Sequence, residues 1–321
     1  MWRTQDLRWV GLFAALSLAW GLNYPIVRVG LSESAPLWLA AFRSLVGLAA
    51  LSGYFLLGGR RTLDRRGRRD ALLVGLPTTA LFFGLWFVAA GQVPPGTAAV
   101  LVYTFPLWVA LLTGPMTGGR ISPRSWIPIL AGFLGVILVS EPWATGNSGL
   151  DPLPLGELLA AAAAWAVGTI WFKQRFAGTQ MLKANIFQLA SGAATLVVAA
   201  AVLEPTGPVV AGFTLLDAVV YMGVFGTAFG YAAWFALLNR FPAPTISAYL
   251  FLVPVVALTF SVTFFGERIG FVQLAGALLV LGAIYGVART GGEPQRNRRG
   301  GATGSGAPPS DPGRNPRSPA D

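Results

Sequence analysis

The sequence predicts an all-α integral membrane protein of ten transmembrane helices, built as two inverted repeats of five. Three observations carry this. Of 321 residues, 54% are hydrophobic and 11% charged, against roughly 25% charged in soluble domains. Long apolar runs recur from Trp9 to Arg289, each near the about 20 residues that a bilayer crossing needs. The second half of the chain also repeats landmarks of the first. Backbone groups in lipid must be paired internally, so such runs are helices. The 40 glycines and 23 prolines are tolerated in membrane helices, where glycine also permits close contact.

The spans follow in order. The first, 9–29, comes after Arg3 and Arg8. This start resembles the n-region of a leader, but the run continues through Trp20 to about Val29 and no A-x-A site closes it, so a retained helix is expected. The second, 36–57, carries Arg43. The third, 71–91, follows six arginines between Arg60 and Arg69 and holds Trp86. The fourth, 96–116, contains Tyr103 and Pro106, and the fifth is 124–140. The sixth, 153–173, opens near Glu157, and the seventh is 182–203. The eighth, 214–238, holds Trp234; the ninth, 244–265, holds Tyr249 and Pro254; the tenth is 269–289. Trp9, Trp38, Trp126, Trp143 and Trp171 lie near span ends, as an interfacial belt requires. Residues 290–321 carry no large apolar side chain and read as a disordered cytoplasmic tail.

With both termini in the cytoplasm, 20 of the 23 lysines and arginines fall on the inner side. Only Arg28 and Arg268 lie outside, and Arg43 lies within a span. This bias sets the orientation and favours an even number of spans. It also accounts for the net charge of +10 without nucleic acid.

Sliding the second half back by 148 positions aligns Trp86-Phe87 with Trp234-Phe235, Pro94 with Pro242, and Thr97 with Thr245. Pro106 then meets Pro254, Gly118 meets Gly266, and Arg120-Ile121 meets Arg268-Ile269. A shift of 145 pairs Trp20 with Trp165 and Arg28 with Lys173. The units are 9–140 and 153–289. Each holds five spans, an odd number, so the second is upside down relative to the first. Inverted repeats mark alternating-access transporters, with the substrate near the midplane between halves. The other reading is a duplicated scaffold without transport.

The residues resemble EamA-type members of the drug/metabolite transporter superfamily. Trp20-Gly21-Leu22-Asn23-Tyr24 resembles the W-G-x-N-[FY] opening, and Ala41-Phe42-Arg43 the second-helix region. Gly223, Gly226-Thr227-Ala228 and Trp234-Phe235 are similar to the eighth helix. Leu252-Val253-Pro254-Val255-Val256 is similar to the ninth, and Gly266-Glu267-Arg268 to the G-E-[RK] turn before Gly276 and Gly282. The resemblance covers about residues 11–289. It departs at Gly118-Gly119-Arg120, where Gly119 replaces the expected acid. It implies an exporter of amino acids or related small metabolites in a prokaryotic inner membrane. It does not fix the substrate, because the superfamily also carries drugs, sugar phosphates and nucleotide sugars. The alternatives are an importer or exchanger of another anionic metabolite, and a membrane-embedded enzyme or lipid-handling scaffold.

Arg43 lies roughly 10 Å past the helix start at Pro36, where facing lipid would cost about 3 kcal/mol or more. Its guanidinium either grips a substrate carboxylate or bonds helix-end carbonyls in a structural role. Pro25 frees the carbonyl of Gly21, which Asn23 or a ligand then satisfies, or neighbouring helices do. Pro106 and Pro254 are gates, hinges or plain bends. Tyr103, Tyr249, Trp86 and Trp234 line an aromatic cavity or pack. Glu157 and Glu267 are the acids nearest the membrane interior, either for proton coupling or as interfacial charges. The chain has no cysteine or histidine and no P-loop. We therefore expect no ATPase, metal, cofactor or enzyme activity, with a small-molecule substrate and the lipid bilayer as partners.

Overall fold

A computed structural model describes residues 4–56, 63–118, 123–140, 151–176, 181–240, 250, 252–266 and 268–290. The expected tail beyond Thr290, most of the 141–152 loop, Tyr249 and Glu267 lie outside them. Among the described residues the regular elements are helical, with one isolated β-bridge between Ser34 and Val209.

The order is α1 (Thr4–Leu31), α2 (Pro36–Leu56), α3 (Arg65–Gly75), a π-helical turn (Leu76–Leu81) and α4 (Phe82–Ala90). Then come α5 (Pro95–Val102), α6 (Phe105–Thr117), α7 (Trp126–Ser140), α8 (Pro152–Phe176) and α9 (Met181–Leu203). The chain continues with α10 (Phe213–Tyr221), a second π-helical stretch (Met222–Phe229), α11 (Gly230–Arg240), α12 (Leu252–Phe265) and α13 (Phe271–Thr290).

Among the described residues, seven stretches are long and apolar enough to cross a membrane: Arg8–Leu31, Pro36–Gly53, Arg65–Ala90, Pro95–Thr117, Pro152–Phe176, Met181–Leu203 and Phe213–Leu237. Trp126–Leu138, Val253–Phe265 and Phe271–Ala283 are apolar stretches of 10–17 residues, the last of them within the 20-residue α13; the first two fall short of the about 20 that fill a 30 Å core. The sequence expectation was ten spans.

Local chemistry explains the element ends. Asp64 caps α3, its carboxylate accepting from the Gly67 amide at 3.0 Å. The helix therefore begins in the arginine cluster, earlier than apolarity alone implies. Pro36 and Pro95 stand at first helical positions, where a missing N–H costs nothing. Between α5 and α6 the helix breaks at Tyr103–Thr104. Pro106 has no N–H to return to Val102, while the Thr104 hydroxyl donates to Leu101 O at 2.7 Å.

The halves share unusual features at the 148-residue offset. Both π turns fall at corresponding positions, and Gly118 (φ 73) and Gly266 (φ 62) both adopt the left-handed conformation. Packing exchanges partners in the same way. α2 packs on the second π turn and α9 on the first; α1 packs on α12 and α8 on α5 and α6; α2 meets α9, and α7 meets α13. A Cβ on Gly47 would strike Thr227 and crowd the Gly223 carbonyl at 3.1 Å. A Cβ on Gly192 would strike Thr79 and crowd the Gly75 carbonyl at 3.0 Å. Small residues thus set the α2 and α9 approaches.

One clasp joins the start of α2 to the segment after α9. The Glu204 carboxylate accepts from the Leu37 amide at 3.0 and 3.1 Å and from the Trp38 amide at 3.3 Å. The Trp38 indole donates to Glu204 O at 3.1 Å, and the Ala35 amide to Pro208 O at 2.8 Å.

Candidate functional site

The site grows from the π turn in Met222–Phe229. A π turn bonds i to i+5 and so widens the helix. There the Thr227 hydroxyl donates to Met222 O at 3.0 Å, and the Trp20 indole donates to Gly226 O at 3.0 Å. Thr227 Oγ1 also accepts from Arg43 Nε at 3.3 Å and Nη2 at 3.1 Å. The guanidinium lies over Phe83, 4.3 Å from the ring centre, with Trp86 and Phe87 each at 5.4 Å. Such faces attract a cation, more so when water is excluded.

Arg43 is 2% exposed, and its Nη1 has no hydrogen-bond partner. Among the described residues no carboxylate lies within 4.0 Å of it; an ion pair elsewhere joins Arg175 and Asp70 at 3.6 Å. One hydroxyl and three ring faces compensate a buried cation incompletely, which leaves it ready for an anion.

Arg43 lines a cavity with about 380 Å³ of empty space, open solvent included. Asn23 and Tyr24 of α1, Trp86 of α4, Tyr103 at the α5–α6 break, Trp165 of α8 and Tyr231 of α11 line it. Asn23 is 2% exposed and its Oδ1 is unpartnered. Gly226 lets the Asn23 amide lie against the helix, since a Cβ there would come within 2.5 Å of it. The rings pack on one another: Tyr24 on Trp86 at 5.1 Å, Trp20 on Trp165 at 5.9 Å and Phe105 on Trp165 at 4.1 Å. The chamber is thus largely aromatic, with one cation, one amide and three tyrosines as its polar groups, as small-molecule sites are mostly apolar with a few polar groups.

A neighbouring cavity of about 360 Å³ is lined by Thr78, Thr169, Phe172, Lys173, Gln188 and Trp234, among others. Trp165 and Tyr231 line both cavities.

Of the residues singled out from the sequence, Arg43, Asn23, Trp86 and Tyr103 converge on the first cavity. Trp234 lies in the second, 5.9 Å from Trp20. Tyr249 and Glu267 are outside the described residues. Pro25 sits inside α1, which stays helical through it. Pro106 is the second residue of α6, directly after the break, and Pro254 lies in the first turn of α12. Glu157, near the start of α8, lines neither cavity; its Oε2 is buried without a partner. Sequence reasoning missed Tyr231 and the hydroxyl of Thr227. The signal was their spacing: Thr227, Tyr231 and Trp234 stand four and three apart, on one helical face.

Comparison with known proteins bears on this arrangement. The model of the EamA-like transporter family matches the chain twice, over residues 7–141 and 155–289. "Uncharacterized inner membrane transporter YedA" of Escherichia coli (strain K12) is 28% identical over 85% of this chain and 89% of its own. "Uncharacterized transporter YvbV" of Bacillus subtilis (strain 168) is 26% identical, with the same coverage of 85% and 89%. The "Probable amino-acid metabolite efflux pump" of Escherichia coli (strain K12) is 27% identical over 86% of this chain and 93% of its own. A protein crystal structure superimposes with a TM-score of 0.63 at 18% identity, over 87% of this chain and 95% of that one, and shares the fold.

Proposed function

Since this chain belongs to the EamA-like transporter family, we propose that it is a secondary transporter that exports amino acids or related small carboxylates by alternating access. The observation that carries this reading is Arg43: a buried cation with an unpartnered Nη1, no carboxylate beside it among the described residues, and an aromatic chamber around it. A substrate carboxylate supplies the missing counter-charge and engages the planar fork in bidentate fashion. Asn23 takes a polar group of the substrate, and Trp86 and Tyr103 enclose its body. The efflux-pump name of a relative supports the amino-acid class.

In this reading the units 9–140 and 153–289 are inverted five-helix repeats, the three shorter apolar helices complete ten spans, and both termini are cytoplasmic. The exchanged packing partners and the twice-matched family model support the repeat. The break at Tyr103–Thr104 before Pro106 is a hinge, as are Pro25 and Pro254. Midspan carboxylates are lacking, so movement is facilitated or by exchange, with Glu157 and Glu267 as the routes for any proton.

The test is counterflow. Proteoliposomes preloaded with an unlabelled amino-acid mixture should accumulate ¹⁴C-labelled amino acids, and protein-free liposomes should not. An absence of counterflow for every component, with the protein folded and inserted, removes the amino-acid assignment.

A further inference from the structure

The second cavity has its own chemistry. Its empty space, about 360 Å³ with open solvent included, is close to the about 380 Å³ of the first. Lys173, in the last turn of α8, stands exposed at its edge. Two residues on, Arg175 pairs with Asp70 in the middle of α3, beside the arginine cluster. The cavity therefore opens toward the basic end of the molecule, the end that the positive-inside rule assigns to the cytoplasm.

Deeper in the same cavity is Gln188, 2% exposed, with Oε1 unpartnered. Its Nε2 donates to Asn185 Oδ1 at 2.8 Å, and Asn185 Nδ2 is unpartnered too. Two amides sharing one hydrogen bond leave one amide nitrogen and one carbonyl oxygen without a partner. Buried polar atoms are rarely left so. The remaining wall is aromatic, with Phe172 stacked on Phe235 at 4.8 Å and Trp234 beside them. Gln188 also stands at the offset of 145 from Arg43, so each second helix of a unit offers one polar side chain to one cavity.

We propose that this second cavity is a binding site in its own right. An α-amino acid rests there with its carboxylate on Lys173 and its polar head on the Gln188 amide, before passing Trp165 and Tyr231 into the Arg43 cavity. A cation, a free buried amide and an apolar wall together match a zwitterion with an apolar side chain. Trp165 and Tyr231, common to both cavities, form the partition. This rests on the transport reading above.

The experiment uses the full chain in inverted and right-side-out membrane vesicles, with a ¹⁴C-labelled amino-acid mixture as probe. Lys173→Gln and Gln188→Met should each raise the half-saturating concentration at the cytoplasmic face roughly tenfold, the loss of one polar contact at an accessible site. At the outer face the change should stay under about twofold, because the Arg43 cavity is then reached first. Lys173→Arg should restore most of the loss, and Arg43→Lys should fail at both faces. Equal changes at the two faces, or none, overturn the second site while leaving the Arg43 site standing. An effect of Lys173→Gln without one of Gln188→Met also overturns it, reducing Lys173 to long-range attraction. Wild-type vesicles that take up no component overturn the transport reading and this site together.

Discussion

Arg43 is held by one hydroxyl and three ring faces rather than by a carboxylate. Those contacts keep it in place; they do not neutralise it. Arg43→Lys keeps the charge but loses the planar two-donor fork. Transport should fall at least about tenfold while thermal stability changes little, since the cavity can hydrate the ammonium. Near-normal transport in both Arg43→Lys and Arg43→Ala would end the substrate role; collapse of both in detergent would make Arg43 a helix-pairing residue. This side chain was legible in the sequence because a charge inside an apolar run is costly wherever it points. Asn23 was legible for a similar reason. Tyr231 was not, because an aromatic in an aromatic-rich helix carries no mark of which way it faces. Its place at the cavity depends on Trp165 and Arg43, which come from other helices.

The bounds of some long apolar helices were legible. The expected 36–57 and 182–203 appear as Pro36–Leu56 and Met181–Leu203. The expected bend at Pro106 appears as a break two residues upstream, because the strain falls on the carbonyl that loses its donor. The π turns left no trace in composition; a change from four to five residues per bonded loop alters no residue type. Nor did Glu204 stand out, since an acid in an outer loop says nothing about which helix start it reaches. Its role as a cap on α2 makes a prediction. Glu204→Gln weakens the charge on the Leu37 and Trp38 amides and should cost about 1 kcal/mol, seen as a lower melting temperature with transport retained. Closer packing is less forgiving. Gly192→Leu drives a side chain into Thr79 and Gly75 and should abolish the folded fraction in size-exclusion chromatography, whereas Gly53→Leu, with nothing within 4 Å, should not.

For the whole molecule, the arginine distribution argues for both termini inside and the loop at Asn147 outside. The chain has no native cysteine, so Asn147→Cys gives a single thiol. It should react with an impermeant maleimide in intact cells; labelling only after the cytoplasm is opened would reverse the topology. Energy coupling is the matching global test. A pH gradient should add little to counterflow, and any dependence should vanish in the Glu157→Gln/Glu267→Gln double variant. Steep accumulation that survives both substitutions would call for a different proton route. The correspondence between the halves at the 148-residue offset was legible through Trp, Pro and Gly landmarks, since these residues recur where geometry recurs. Which helices of one half meet which of the other was not, because pairing between distant segments is set by shape. The ring of tryptophans around the first cavity has a consequence outside transport assays. Trp20, Trp86 and Trp165 are each less than 9% exposed around that chamber, while Trp126 is 44% exposed. The protein's own ultraviolet emission is therefore a built-in gauge of occupancy: a bound solute changes the light of the inner rings, and a lipid-side quencher dims Trp126 first.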